Sequence, residues 1–200
     1  EKLHIEVIPE VDMPGHFVAA MTAYPEYSCS PKGGHNVWTD GGISSDVLNV
    51  ANPKAVQFTK NIIRELAGLF PSKNFHIGGD ECPNNADCQK LYKKLGLTSY
   101  RALQSHFIRQ ISEHLASLGK HLFLWNESIT AAGADVEIIK NTGATIMCWE
   151  DTQGLVQPGA KKAAELGLDN IITPWGPYYI NRVQSTEPGE PLGAGNGADT

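Results

Sequence analysis

The chain has 200 residues, a net charge of −6 and 41% hydrophobic residues, which is enough for one domain of ordinary size with a buried core. The acidic balance and the lack of a lysine or arginine run argue against a nucleic-acid partner or an anionic lipid surface. No apolar segment approaches the roughly 20 residues that cross a bilayer, so we expect no membrane partner.

The first predicted element is a strand over residues 3–11, where an apolar run indicates burial on both faces at least in part. It leads into a tight turn, Asp12-Met13-Pro14-Gly15-His16, marked by Pro-Gly. Residues 17–50 have little periodicity and much glycine, which predicts a long loop. A loop of this length inside a compact domain is typical of a functional segment.

Four more predicted strands alternate with four predicted helices, and the segment after Glu81 is interpreted as a polar connection. The strands cover residues 74–79, 121–126, 145–149 and 170–173, and the helices cover about 53–70, 100–118, 135–140 and 160–166. Strands this continuously apolar are typical of a parallel sheet covered on both faces, so we expect an α/β fold. The signals that place the helix ends are Asn52 with Pro53, Thr98 or Ser99, Pro71, Gly119, Gly143 and Gly167.

The four cysteines are too sparse for a disulfide framework. The spacing of Cys82 and Cys88, with no histidine near them, fits a structural zinc site poorly. We expect Cys148 to be a buried free thiol. A weaker alternative is a bridge from Cys29 to Cys82 or Cys88, which would fix the long loop beside the neighbouring acids.

Each of the five predicted strands ends in residues that can do chemistry. Because the carboxyl ends of parallel strands share one face, we expect these side chains to line one site. In chain order they are Asp12 and His16, then Asp80 and Glu81, then Trp125 and Glu127, then Trp149, and finally Trp175 with Tyr178 and Tyr179.

The adjacent carboxylates Asp80 and Glu81 allow three interpretations. Divalent metal binding would need more oxygen ligands, and no Asp-x-Asp or His-Glu-x-x-His spacing surrounds the pair, so we expect no metal. Helix capping is a second possibility. The third is acid–base work on a neutral, hydroxyl-rich substrate, which the tryptophans favour because their flat faces stack on sugar rings.

Two long motifs carry a resemblance to a known family. His76-Ile77-Gly78-Gly79-Asp80-Glu81 and Ile8-Pro9-Glu10-Val11-Asp12-Met13-Pro14-Gly15-His16 resemble the β-N-acetylhexosaminidases of glycoside hydrolase family 20, in the family's order. The similarity runs from residue 3 to about residue 182. It implies a (β/α)8 barrel that removes terminal β-linked N-acetylhexosamine from glycans or chitin fragments, without a cofactor.

The resemblance also implies a retaining, substrate-assisted mechanism. Glu81 would be the general acid that protonates the glycosidic oxygen, and then the base that activates water. Asp80 would orient the 2-acetamido group of the substrate and stabilise positive charge on its nitrogen. Tyr179 would hydrogen-bond the acetamido oxygen.

Other residues would support this chemistry by the same resemblance. Trp125 and Trp149 would wall the acetamido pocket, and Asp12 and His16 would lie near Glu81 and tune its proton affinity. His76 is a further candidate supporting residue, although a lone histidine within a strand is more often a satisfied buried group than a ligand.

The last candidates lie near the end of the chain. Trp175 is a candidate wall of the sugar subsite that Asn181 would line, with a packing role equally open. Asn181 stands where the family commonly has an aspartate that contacts outer hydroxyls of the sugar, so the preferred sugar stays open. Tyr178 is an alternative to Tyr179 as the acting tyrosine.

The resemblance covers part of a barrel. A full barrel needs eight strands, and the five predicted here correspond to strands three to seven. We therefore expect a partial catalytic barrel over residues 1–182, with residues 183–200 as a loop or tail that leads to a missing last strand. Open sheet edges predict that the missing strands, or a second copy, pack there.

These expectations extend to the whole protein. Because Glu1 and not Met opens the chain, we expect a piece of a longer protein, with any signal peptide outside it. We expect this piece to be poorly active alone, and we expect a secreted, periplasmic or cell-surface location. The alternatives are a disaccharide-releasing enzyme of the same family, similar to lacto-N-biosidase, or an inactive sugar-binding fragment.

Overall fold

The computed structural model describes residues 2–30, 36–39, 42–84, 86–150 and 158–175. Within these ranges the chain forms seven α-helices, four β-strands and a short 3₁₀-helix at Pro25–Tyr27. The helices are α1 Val18–Ala23, α2 Pro53–Leu69, α3 Ala86–Lys94, α4 Tyr100–Ser117, α5 Glu127–Thr130, α6 Val136–Thr142 and α7 Pro158–Leu166. The strands are β1 Asn74–His76, β2 His121–Trp125, β3 Thr145–Cys148 and β4 Asn170–Ile172.

The four strands form one parallel sheet in the order β1-β2-β3-β4. Helices α3 and α4 connect β1 to β2, α5 and α6 connect β2 to β3, and α7 connects β3 to β4. This confirms the predicted alternation of strand and helix, and it brings the carboxyl ends of all four strands to one edge.

The first predicted strand is only partly present. Val11 and Met13 donate their N–H groups to the carbonyls of His76 and Ile77, so residues 9–13 lie parallel to β1. The predicted burial of residues 3–8 is wrong, since Leu3 is 77% exposed. Among the described residues, the pairing begins only at Pro9, whose carbonyl accepts the N–H of His76.

The predicted helix ends are confirmed where a side chain or a glycine provides the signal. The side chains of Asn52 and Ser99 accept N–H groups in the first turns of α2 and α4. Asp135 caps α6 in the same way, and Gly143 ends it with a left-handed φ of 66°.

Three short helices, α1, α3 and α5, were not predicted. Helix α1 lies inside the segment predicted to be a loop, and it buries Val18 and Met21 three residues apart. Helix α3 lies in the predicted polar connection, and its buried contact with the core is made by Cys88. Short helices with so few apolar positions carry little periodicity, and tertiary packing decides them.

The core lies between the sheet and the helices that cover it. Helix α4 packs against β2, α2, α3 and α6. The fully buried Phe107, Ile111 and Leu115 of α4 meet Phe75 of β1 and Leu124 of β2 in one cluster. In the part of the chain that the structure describes, no helix is both long and apolar enough to cross a membrane. The domain boundary predicted at residue 182 lies outside the described residues.

Candidate active site

Two glycines after β1 set the position of the acids. Ile77 extends the ladder of β1 by donating its N–H to the Phe123 carbonyl at 3.2 Å, and Gly78 and Gly79 then turn the chain with φ of 70° and 94°. These φ values favour glycine. A Cβ at residue 78 would also overlap the carboxyl group of Asp12, so the backbone can pass Asp12 this closely only with glycine there.

The two acids that follow meet a histidine from the Asp12–His16 turn. The Nε2 atom of His16 lies 3.2 Å from Oε2 of Glu81 and 3.8 Å from Oδ2 of Asp80. Both contacts become ion pairs when the imidazole is protonated. His16 and Glu81 have left-handed φ values of 50° and 38°, a conformation that is uncommon for non-glycine residues and is enriched at functional sites.

Asp12 lies behind the acids and bonds to the backbone that carries them. Its Oδ1 accepts the N–H of Gly79 at 3.2 Å. Burial of the Asp12 carboxyl raises its pKa to about 9, and the negative charge of Asp80 adds to the shift. Asp12 is therefore protonated at neutral pH, and a hydrogen bond joins its side chain to that of Asp80.

His76 lies under the site as a neutral imidazole. Burial lowers its pKa to about 3, so the 3.4 Å contact between its Nδ1 and Oε1 of Glu10 is not an ion pair at neutral pH. Nδ1 accepts the N–H of Gly78 at 2.9 Å, which places the ring proton on Nε2. The expectation that His76 is a satisfied buried group holds for Nδ1, whereas Nε2 has no hydrogen-bond partner among the described residues.

Trp125 stands at the end of β2 beside His76. Its ring lies 4.5 Å from the His76 ring, and its Nε1 donates to Oε1 of Glu10 at 2.9 Å. Burial raises the pKa of Glu10, and this hydrogen bond opposes the shift. Glu10 was not predicted as a site residue, although its place within the first motif, at the end of a predicted strand, was a usable signal.

The ends of β3 and β4 bring two further tryptophans together. The N–H of Trp175 donates to the Trp149 carbonyl at 2.9 Å, and the N–H of Trp149 donates to Oδ1 of Asn126 at 3.1 Å. Asn126 is fully buried and its Nδ2 donates to Oε2 of Glu150 at 2.5 Å. Asn126 and Glu150 were not predicted, since their roles depend on which strands are neighbours.

Three residues outside the motifs hold the backbone of the acids. Glu127 accepts the N–H of Glu81, Gln104 donates to the carbonyl of Gly79, and Arg101 contacts both Glu127 and Gln104. Glu127 had been noted at a strand end. Arg101 and Gln104 lie on α4, where nothing in the sequence distinguishes them from other polar helix residues.

One group of side chains has the spacing of a cation site. One oxygen each of Asp12 and Asp80 and one nitrogen of His16 lie within 4.8 Å of one another. Asp12 has another partner, since its Oδ1 accepts the N–H of Gly79, and its carboxyl carries a proton at neutral pH. A protonated carboxyl is a poor ligand for a hard cation, and the expectation of no metal stays a prediction.

The remaining predicted residues lie outside the described part of the chain. They are Tyr178, Tyr179 and Asn181. The structure thus brings Asp12, His16, Asp80 and Glu81 into one cluster, with His76 and Trp125 beside it. It also joins Trp149 and Trp175 at the neighbouring strand ends.

Comparison with known proteins identifies the family. The model of the catalytic domain of glycosyl hydrolase family 20 matches residues 1–198. A β-hexosaminidase of Porphyromonas gingivalis is 36% identical over 199 residues, which is 96% of this chain and 24% of that protein. A lacto-N-biosidase of Bifidobacterium bifidum is 33% identical over 62% of this chain and 11% of that protein.

Solved structures give the same result. The chitobiase of Flavobacterium johnsoniae matches with a TM-score of 0.72 at 30% identity, over 85% of this chain and 26% of that one. An exo-β-N-acetylglucosaminidase of Vibrio harveyi, in complex with N-acetylglucosamine, matches with a TM-score of 0.64 at 30% identity, over the same shares. The chain spans about a quarter of the length of the Porphyromonas gingivalis protein and of these two solved chains, and its parallel sheet is part of the (β/α)8 barrel of such domains. The chain belongs to glycosyl hydrolase family 20, as a portion of the catalytic domain.

Proposed function

We propose that the protein removes terminal β-linked N-acetylhexosamine from glycans or chitin fragments, with retention of configuration. The observation that carries this proposal is the Asp80–Glu81 pair, held at a strand end with His16 against both acids and a protonated Asp12 behind Asp80. The relatives named β-hexosaminidase, and the Vibrio harveyi enzyme bound to N-acetylglucosamine, support the same substrate class.

Glu81 moves the proton in this mechanism. The acetamido oxygen of the substrate forms a bond to the anomeric carbon while the bond to the leaving oxygen breaks, and Glu81 gives its proton to that oxygen. Water then attacks the anomeric carbon, the bond to the acetamido oxygen breaks, and the proton of the water returns to Glu81. His16, 3.2 Å from Oε2 of Glu81, is placed to assist both proton transfers.

Asp80 orients the acetamido group of the substrate and stabilises charge on it. Its Oδ1 is buried and has no hydrogen-bond partner among the described residues, so it can accept the N–H of the substrate amide. Ionised Asp80 also stabilises the positive charge that develops on the amide nitrogen as its oxygen attacks. Asp12, which lies behind Asp80, carries a proton at neutral pH because burial raises its pKa. Tyr179 would hydrogen-bond the acetamido oxygen, and Trp125 and Trp149 would wall the acetamido pocket.

Aryl β-N-acetylglucosaminides with good and poor leaving groups test the proposal. Glu81→Gln removes the proton donor and is expected to lower the rate by roughly 10²–10⁴ for poor leaving groups, with a smaller loss for good ones. Asp80→Asn is expected to affect N-acetyl substrates most. An equal effect of Asp80→Asn on aryl glycosides without the acetamido group would contradict its role, and tight binding of a thiazoline analogue without turnover would favour a sugar-binding protein.

A second candidate is release of a disaccharide instead of one sugar. It is favoured by the similarity to the lacto-N-biosidase of Bifidobacterium bifidum and by Asn181, which stands where the family commonly has aspartate. Product analysis on a panel of capped oligosaccharides separates the two activities.

We also propose that the exposed sheet edges of this chain pack against further barrel strands or a second copy. Ile171 and Ile172 of the edge strand β4 are 43% and 57% exposed. Sedimentation of residues 1–200 alone tests this, since a monodisperse monomer would contradict self-association.

The proposed secreted, periplasmic or cell-surface location is tested by fractionation of the source cells.

A further inference from the structure

We propose that Glu127, Arg101 and Gln104 are positioning residues that clamp the backbone on both sides of Asp80 and thereby aim the side chain of Glu81. The proposal rests on the function proposed above for Glu81. These three side chains come from α4 and α5, outside both motifs, and they form one chain of hydrogen bonds.

The first contact lies on the carboxyl side of Asp80. Oε2 of Glu127 accepts the N–H of Glu81 at 2.9 Å. Glu81 has a φ of 38°, a left-handed conformation that is strained in a non-glycine residue. Such a conformation persists only where the surroundings hold it, and a charge-assisted hydrogen bond to this N–H is a direct means of holding it.

The second contact lies on the amino side of Asp80. Nε2 of Gln104 donates to the carbonyl of Gly79 at 2.9 Å, and Gln104 is 2% exposed. The N–H of Gly79 is held in turn by Oδ1 of Asp12. The peptide groups before and after Asp80 are thus both bonded to side chains from other parts of the fold.

Arg101 links the two contacts. One guanidinium nitrogen donates to Oε1 of Gln104 at 2.9 Å and the other lies 3.3 Å from Oε2 of Glu127. The side chains of Arg101 and Glu127 are 19% and 15% exposed, so solvent screens the pair only in part. Arg101 also fixes the orientation of the Gln104 amide, because its donor must face the amide oxygen and leave Nε2 for Gly79.

Loss of these backbone contacts is expected to change the orientation of the Glu81 carboxyl group while the group itself remains in the site. A shift of about 1 Å in a catalytic group can cost on the order of 10² in rate. Loss of the clamp frees the peptide that joins Asp80 to Glu81, so the carboxyl of Glu81 loses its alignment with the leaving oxygen. Binding of the sugar ring, which depends on other side chains, is expected to change little.

Two substitutions at residue 127 test the clamp in the whole protein. Glu127→Ala removes the acceptor and is expected to lower kcat on the order of 10²-fold with little change in KM, with the larger loss on aryl N-acetylglucosaminides that have poor leaving groups. Glu127→Gln keeps an oxygen that can accept the N–H of Glu81 and is expected to restore most of kcat. Arg101→Lys keeps the charge but loses the two-nitrogen fork, and an intermediate loss is expected.

Glu113→Gln is the matched control, since Glu113 lies on α4, the helix that carries Arg101 and Gln104. Glu113 pairs with Arg109 at 3.9 Å on the exposed face of α4, so this variant is expected to keep full activity. A loss that is equal for good and poor leaving groups, or Ala and Gln variants with the same activity, would overturn the clamp. Deuterium exchange of the Glu81 amide gives a readout independent of turnover, and Glu127→Ala is expected to speed it. If the wild-type protein hydrolyses no N-acetylhexosaminide, the proposed function is wrong. If Glu127→Ala leaves deuterium exchange of the Glu81 amide unchanged, the clamp alone is wrong.

Discussion

The carboxyl group of Asp12 occupies the space that a side chain at residue 78 would need. Gly78 therefore serves two purposes, since it also adopts a φ of 70° that turns the chain toward Asp80. The contact joins the two sequence motifs, since Asp12 belongs to one and Gly78 to the other.

Substitution of Gly78 by alanine is expected to destabilise the protein. The left-handed φ alone costs roughly 1–2 kcal/mol in a non-glycine residue, and the new Cβ would also displace Asp12. Gly68→Ala is the matched control, because Gly68 lies in α2 with open space where a Cβ would be. This substitution is expected to raise the free energy of unfolding by roughly 0.5–1 kcal/mol. Urea unfolding of both variants measures the difference, and a neutral Gly78→Ala would show that Asp12 is not held in this place.

Asp12→Asn is expected to stabilise the protein increasingly as pH rises. Between about pH 4 and pH 9 the unfolded chain releases the Asp12 proton while the folded protein keeps it, so this residue lowers the free energy of unfolding as pH increases. Asparagine has no such proton, and the gain is at most about 1.4 kcal/mol for each pH unit. Thermal or urea unfolding of both proteins from pH 5 to pH 8 checks this. Parallel stability profiles would show that Asp12 is ionised in the folded protein.

The His76 imidazole is expected not to titrate between pH 5 and pH 8. Burial lowers its pKa to about 3, and the N–H of Gly78 occupies Nδ1. Because the unfolded chain binds this proton below about pH 6.5, the stability that neutral His76 contributes is lost as pH falls from there toward 3. Nitrogen-detected NMR should show the Nε2–H tautomer, with His76→Gln assigning the signal. A titration midpoint near pH 6 would contradict the buried, neutral state.

All four cysteines are expected to be free thiols that react slowly at pH 8. In the structure all four are buried and form no disulfide bond, and burial raises the pKa of Cys82 to about 12 and that of Cys148 to about 11. The pKa of Cys29 is also raised, first by a hydrogen bond with Cys88. Alkylation followed by intact-mass measurement should label four thiols only after denaturation. A non-reduced mass lower by two hydrogens would instead support the alternative bridge from Cys29.

Much of the fold could be predicted from the sequence because its signals are local. Asn52 with Pro53, Ser99 and Gly143 place helix ends through contacts within one turn, and they were located correctly. The acids at the end of β1 were found because Gly78 and Gly79 stand beside them in the sequence. The burial of residues 3–8 was predicted wrongly, because burial depends on which elements cover a strand and not on the strand itself.

The sequence alone determined the parallel α/β class, the family resemblance and the candidate acids Asp80 and Glu81, since these depend on periodicity and on contiguous motifs. Only the tertiary structure decided which groups act on those acids. It places His16 against Glu81 and joins Asp12 to Asp80, and it brings Glu127 from the next strand end to the N–H of Glu81. The protonation of Asp12 and the clamp on Glu81 arise from burial and from contacts between distant segments, which no single stretch of sequence contains.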